Sequence, residues 1–124
     1  MDTVNSQDNT NENRYELFIS KVKEAGEVWT LVAHEGFYAM FEDENENSLL
    51  PVWPDKESAD ICATDDWADY TPESMVIKEF REWLIELKED LVLVGVFPGT
   101  DHTSYSIDPL QLNKRLKEKD KPKI

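Results

Sequence analysis

Apolar side chains recur at three- and four-residue steps in three segments of the chain, a spacing that predicts amphipathic helices. The predicted helices cover residues 13–24, 77–88 and 109–118. The apolar stripe of the first helix consists of Tyr15, Phe18, Ile19 and Val22. Asp108 followed by Pro109 marks the start of the third, because an aspartate caps free helical amides and a proline is favoured at the first helical position. Asp55 should cap a further, shorter helix in the same way.

Short runs of β-branched, aliphatic and aromatic residues predict strands. These runs cover residues 28–33, 37–42, 49–53 and 91–97, and a weaker one covers 103–107. His34-Glu35-Gly36 separates the first two runs and is typical of a tight turn, so we expect those strands to pair antiparallel. The run from Leu91 to Phe97 is apolar without alternation, which indicates an interior strand covered on both faces.

Together these elements predict a single α+β domain over residues 13–119. We expect one mainly antiparallel sheet of four to five strands with three to four flanking helices. Residues 1–12 contain few side chains that could be buried, so they should form a mobile lead-in, and residues 120–124 form a basic C-terminal tail. The segment 65–72 is expected to be irregular. The predicted core contains Trp29, Phe80, Leu84, Val94 and Val96.

Net charge narrows the range of partners. The 124 residues include 27 Asp and Glu against 13 Lys and Arg, which gives a formal charge of −14. Six of the basic residues lie from position 114 onward, which leaves −18 on residues 1–113. Such a surface excludes nucleic acid as the expected partner and opposes binding to an anionic membrane. No apolar run approaches a membrane span, the N-terminus is polar, and the single cysteine fits a reducing compartment, so we expect a cytoplasmic protein.

Side chains with catalytic or metal-binding chemistry are sparse in this sequence. His34 and His102 lie far apart and form no ligand-spaced cluster with Cys62, so no metal site is predicted. Cys62 lies in an acidic stretch of the sequence, and nearby carboxylates disfavour the negatively charged thiolate that a reactive cysteine needs. We therefore predict that Cys62 is a buried structural residue. Neither a nucleophile elbow nor a phosphate-binding glycine loop is present. We therefore predict no catalytic residue and no cofactor.

Two strand endings share one pattern, Val52-Trp53-Pro54 and Val96-Phe97-Pro98. If the two strands are neighbours, Trp53 and Phe97 meet at one end of the sheet, where α/β folds often place a ligand crevice. The alternative, which we favour, is that both rings fill the core and the prolines end the strands.

The segment 55–73 is strongly acidic and contains a single basic residue, Lys56. One interpretation is a solvated surface that maintains solubility. The other is a docking surface for a basic protein, in which carboxylates steer the encounter and aromatic rings act as anchors. The candidate contact residues are Asp65, Asp66, Trp67, Asp69 and Tyr70.

An ordered set of motifs resembles the small bacterial proteins of domain-of-unknown-function family 2750. The motifs extend over about residues 14–118, and the sequence departs from the family at Ile85, where a proline is common. The resemblance implies a bacterial cytosolic protein with an α+β sheet and flanking helices, and it implies no activity. The motifs are Arg14-Tyr15-Glu16-x-Phe18, Glu27-Val28-Trp29-x-Leu31, Leu50-Pro51-Val52-Trp53-Pro54, Phe80-x-x-Trp83-Leu84-x-x-Leu87, Val96-Phe97-Pro98 and Pro109-x-x-Leu112.

Three functional hypotheses follow from these observations. The first is a non-catalytic binding protein, most concretely an immunity-type inhibitor of a basic bacterial toxin. The second is a small-ligand-binding or enzymatic domain that uses the crevice near Trp53 and Phe97. The third is a self-associating accessory protein, in which the basic tail of one copy lies on the acidic surface of another.

Overall fold

The computed structural model describes residues 10–99 and 104–118. Residues 1–9 of the predicted lead-in, His102 and the basic tail 120–124 lie outside the described residues. The helices are α1 (Thr10–Ala25), α2 (Lys56–Ile61), α3 (Ile77–Glu89) and α4 (Pro109–Lys117). The strands are β1 (Glu27–Val32), β2 (Phe41–Glu42), β3 (Ser48–Val52), β4 (Thr71–Val76), β5 (Val92–Val96) and β6 (Tyr105–Ile107), with a 3-10 turn at Asp65–Trp67.

The α+β class is confirmed, but the prediction of a single sheet is wrong. β1 and β4 form an antiparallel two-stranded sheet, and the other four strands form a second sheet in the order β2-β3-β5-β6. The two sheets meet where Trp29 and Trp53 exchange two backbone hydrogen bonds of 2.9 Å. The central pair, β3 and β5, is parallel. A parallel pair needs a long crossover, here through α2, β4 and α3, and no turn signal in the sequence reveals it.

The chain turns back after β1 as predicted, but the antiparallel pairing is short. Gly36 adopts a φ of 95° in the turn, and Val32 faces Tyr38 in an isolated antiparallel bridge. The chain then leaves β1, and Phe41 and Glu42 pair with β3 instead. Of the predicted strand 37–42, only its last two residues form a regular strand, because their pairing partner is β3 rather than the neighbouring segment.

Strand β4 was not predicted, because its sequence lacks apolar alternation. Its register places Ser74 opposite Trp29 and Pro72 opposite Leu31. The backbone groups of Trp29 and Leu31 point away from β4, since those of Trp29 bond to Trp53, the residue after β3, and the Leu31 carbonyl accepts from the Ala39 amide. Pro72, which has no amide hydrogen, therefore lies on the open edge of β4, where a proline disrupts no pairing.

The helices bury the faces that the sequence predicted. The four residues of the α1 stripe are buried, although the helix begins at Thr10, three residues before the predicted start. Asp55 caps α2 by accepting from the Ser58 amide at 2.8 Å, and Asp108 caps α4 by accepting from the Leu110 amide at 2.8 Å. Phe80, Leu84, Val94 and Val96 share one core, against which the partly buried Trp29 packs, so the predicted core is confirmed.

Leu91 follows the end of α3 in the left-handed region, with a φ of 62°, and 83% of its surface is exposed. That conformation costs a non-glycine residue about 1–2 kcal/mol, which exceeds the entropic cost of a glycine in the unfolded chain. We therefore expect Leu91→Gly to raise the free energy of unfolding in urea by about 0.5–1 kcal/mol. Ile85→Gly, at an exposed right-handed position within α3, is the matched control and should lower it by about 1 kcal/mol. A loss of stability in both variants would contradict backbone strain at Leu91.

Candidate functional site

The two Val-aromatic-Pro endings lie side by side. β3 and β5 are parallel neighbours, so their carboxyl ends share one edge, and the Phe97 amide donates to the Val52 carbonyl at 2.7 Å. Trp53 is fully buried, and its ring meets that of Trp67 edge to face at 6.1 Å. Phe97 is also largely buried. The sequence therefore brought together the right pair of residues, but the Trp53 ring fills the core and does not line an open crevice.

Residues 97–99 are held in place by side chains from three other segments. The Pro98 carbonyl accepts from Trp53 Nε1 at 3.2 Å, from Cys62 Sγ at 3.3 Å and from Arg14 Nη2 at 3.2 Å. Phe97 has a φ of 52°, a left-handed conformation that is strained for a bulky residue. Such strain costs about 1–3 kcal/mol and persists only where surrounding contacts fix the backbone, as they do here.

A groove of about 490 Å³ opens beside this segment. Arg14, whose role the sequence analysis missed, is the one charged side chain among the described residues that line it, and Trp53 is not one of them. No local signal could identify Arg14, because its hydrogen-bond partners lie more than 80 residues away in sequence. The lining residues are Arg14, Ser58, Ile61, Cys62, Phe97, Pro98 and Gly99.

Of the residues predicted to form the docking surface, the two aromatic ones are buried or half-buried, and the three aspartates are exposed. Trp67 is buried between the rings of Trp53 and Phe41, so it cannot act as an exposed anchor. Tyr70 is half-buried and packs against the core. The two aromatic residues predicted as docking anchors therefore pack in or against the core, because the 3-10 turn directs Trp67 inward. The carboxylates of Asp65, Asp66 and Asp69 are exposed.

A second acidic segment is the loop that follows β2. The rings of Phe41 and Trp67 are 5.9 Å apart, so β2, which leads into this loop, and the 3-10 turn are in contact through their inward-facing aromatic side chains. In that loop Asp43 accepts hydrogen bonds from the Asn47 side chain and from the amides of Asn47 and Asn45. These bonds, the Asn47 side chain foremost, hold the pKa of Asp43 below its usual value. We use the name acidic face for the exposed and half-exposed carboxylates of these two segments, which are Glu42, Asp43, Glu44, Glu46, Asp65, Asp66 and Asp69.

A second groove, of about 400 Å³, runs along the acidic face. Phe41 and Leu49 supply apolar surface, and Ser104 and Ser106 of the segment containing β6 contribute hydroxyls. The remaining lining comes from the acidic loop, residues 42–45. A groove with both apolar surface and carboxylates suits a lysine or arginine side chain, which has an aliphatic stem and a cationic head.

Three basic side chains of the described residues form ion pairs elsewhere on the surface. Arg115 donates to both carboxylate oxygens of Glu16, at 3.0 and 3.2 Å, and this bond is the main reason that the pKa of Glu16 is lowered. Lys88 pairs with Asp108, and Lys21 pairs with Asp55. Within residues 10–99 and 104–118, no ion pair involves a carboxylate of the acidic face. No cation of the described residues therefore neutralises its charge by a direct ion pair.

In the part of the chain that the structure describes, no three His, Cys, Asp or Glu side chains gather as ligands of one metal ion. In the same part, no helix combines the length and apolarity needed to cross a membrane.

A family model described as "Protein of unknown function (DUF2750)" matches residues 15–116. The chain belongs to this family. The match extends from the second turn of α1 to the last turn of α4, so it includes both sheets and most of each helix that the structure describes. The resemblance inferred from the ordered motifs is thereby confirmed. No curated protein and no solved structure matches the chain.

Proposed function

We propose that this protein is a non-catalytic, cytoplasmic binding protein for a cationic protein partner. The observation that carries the proposal is the acidic face, on which two separate segments place seven exposed or half-exposed carboxylates without a paired cation in the described residues. An inhibitor of a basic bacterial toxin is the most concrete form of this function, since a cationic enzyme that acts on nucleic acid complements such a surface.

The acidic face supports two stages of binding. Its carboxylates attract a cationic partner over distances set by the Debye length, about 8 Å at physiological salt. The groove beside Phe41 then accepts a basic side chain, whose stem contacts the ring while its head meets Glu42 or Glu44. The first stage governs the association rate, and the second stage governs dissociation.

The test compares two triple variants that change the net charge equally. Asp65→Asn/Asp66→Asn/Asp69→Asn alters the acidic face, whereas Glu79→Gln/Glu82→Gln/Glu86→Gln alters exposed positions of α3. Immobilised wild-type protein is used to isolate basic proteins from the native host, and their association rates are measured with each variant. We expect the first variant to slow association about three- to tenfold at low salt and the second to change it much less, because steering depends on where the charge lies.

Several outcomes would contradict the proposal. Equal effects of the two variants would show that only the net charge matters. A retained partner that is acidic, or whose association is insensitive to salt, would show that the acidic face only maintains solubility. Retention of a second copy of this chain in place of a basic protein would favour the self-associating accessory role.

A further inference from the structure

The Arg14 guanidinium is fixed in position by three contacts. Nε donates to the Phe97 carbonyl at 2.9 Å, and Nη2 donates to the Pro98 carbonyl at 3.2 Å. The guanidinium carbon lies 3.9 Å from the centre of the Phe97 ring, so the planar group is stacked as well as hydrogen-bonded. An arginine held in this way loses little further conformational freedom when it binds a ligand.

These contacts occupy only one edge of the guanidinium. Nε and Nη2 form its side-on edge, whereas the end-on edge, formed by Nη1 and the second hydrogen of Nη2, has no hydrogen-bond partner in the described residues. Arg115 of the same chain shows what such an edge can bind, since its Nη1 and Nη2 hold the two oxygens of Glu16. The end-on edge matches the spacing of a carboxylate.

Among the described residues, the surroundings of Arg14 supply no carboxylate. No acidic residue is among those that line the groove of about 490 Å³, and Arg14 forms no ion pair in the part of the chain described, although the chain has 27 acidic residues. Ile61 and Pro98 give the groove apolar surface, and Ser58 adds a hydroxyl. A half-buried cation that has no counter-ion among residues 10–99 and 104–118, in a groove that is partly apolar, suits an anion that carries an apolar body.

We propose that this groove is a binding site for a small organic carboxylate. The carboxylate takes the end-on edge of Arg14, and the apolar body lies against Ile61 and Pro98. The strained backbone at Phe97 fits this role, because it places the ring beneath Arg14 and two carbonyls on its side-on edge. The site is independent of the cationic partner proposed above, since it lies at the carboxyl ends of β3 and β5 and contains no carboxylate of the acidic face.

The test is a titration of the ¹⁵N-labelled full chain with benzoate and with benzamide, its neutral counterpart, followed by NMR. We expect benzoate to shift the Arg14 Nε–H signal and the Cys62 and Gly99 amides saturably, and benzamide to leave them unchanged. The Arg81 Nε–H signal is the internal control, because Arg81 Nε donates to Asn113 and neither residue lines the groove. Equal shifts at Arg81 and Arg14 would show nonspecific ion binding and overturn the proposal.

Two variants separate binding from folding. Arg14→Lys keeps the positive charge but loses the pair of guanidinium N–H donors that matches a carboxylate. We expect it to weaken the affinity for benzoate about tenfold or more, because hydrogen bonds to charged groups contribute about 1.5–3 kcal/mol. If Arg14→Lys does not fold, Ile61→Glu decides the matter, since Ile61 is 55% exposed at the groove and tolerates a charge. We expect Ile61→Glu to weaken benzoate severalfold by repulsion, and Ile85→Glu, exposed on α3, to leave it unchanged. Unaltered benzoate affinity in Ile61→Glu, or equal losses in both glutamate variants, would refute the site.

Discussion

Replacing Trp53 with alanine is expected to lower the free energy of unfolding by about 3–5 kcal/mol, the range for removing a large aromatic side chain from a core. The side chain is fully buried and packs edge to face on Trp67, and its indole nitrogen donates to the Pro98 carbonyl. Its backbone also bridges the two sheets through Trp29. Truncation therefore leaves a cavity where both sheets meet. Urea denaturation followed by circular dichroism measures the loss.

Trp53→Phe is the control for this experiment. It keeps most of the ring volume and removes the indole donor, while the Pro98 carbonyl retains its bonds from Arg14 and Cys62. The loss in this variant should therefore be clearly smaller than in Trp53→Ala. An unchanged unfolding midpoint for Trp53→Ala would show that the ring lies in an accessible crevice rather than in the core.

Truncating Phe80 to alanine should cost about 3–5 kcal/mol as well, since it deletes a fully buried ring from the inner face of α3. Phe80 lies in the same core as Leu84 and Leu87, its neighbours along the helix, and as Val94 and Val96 of β5. A loss of this size is a large fraction of the total free energy of unfolding of an ordinary domain, which is about 5–15 kcal/mol. The measurement is again the urea midpoint and slope.

Ile85→Ala provides the comparison on the same helix. Ile85 is 48% exposed, so its truncation should cost less than about 1 kcal/mol. If Phe80→Ala is too unstable to purify, Phe80→Leu, which leaves a smaller cavity, should still lose more stability than Ile85→Ala. Equal effects at Phe80 and Ile85 would mean that the assigned inner face of α3 is wrong.

The helices and their caps could be predicted from the sequence because the interactions that specify them are local. The stripe of Tyr15, Phe18, Ile19 and Val22 repeats within one helix, and it is buried as one face. Asp55 and Asp108 bond to amides two or three residues ahead. The interior strand β5 was recognisable for a related reason, since only a strand covered on both faces is apolar without alternation.

Pairing and burial between distant segments depended on the tertiary structure. β4 is polar because it lies at an open edge, so its pattern resembles that of a loop until β1 pairs with it. Trp67 stands among carboxylates in the sequence, yet its ring is buried against Phe41 and Trp53.

The candidate sites also combine features that the sequence predicts with contacts that only the structure reveals. The sequence by itself determined the acidity of this protein, its helices and most of its core, because composition and periodicity are properties of neighbouring residues. It also placed Trp53 and Phe97 at equivalent strand ends. Only the tertiary structure decided that these ends are parallel neighbours, that the two acidic segments are linked by the contact of Phe41 with Trp67, and that Arg14 meets a strand end 83 residues away. Such contacts follow from how the whole chain packs, and no local pattern encodes them.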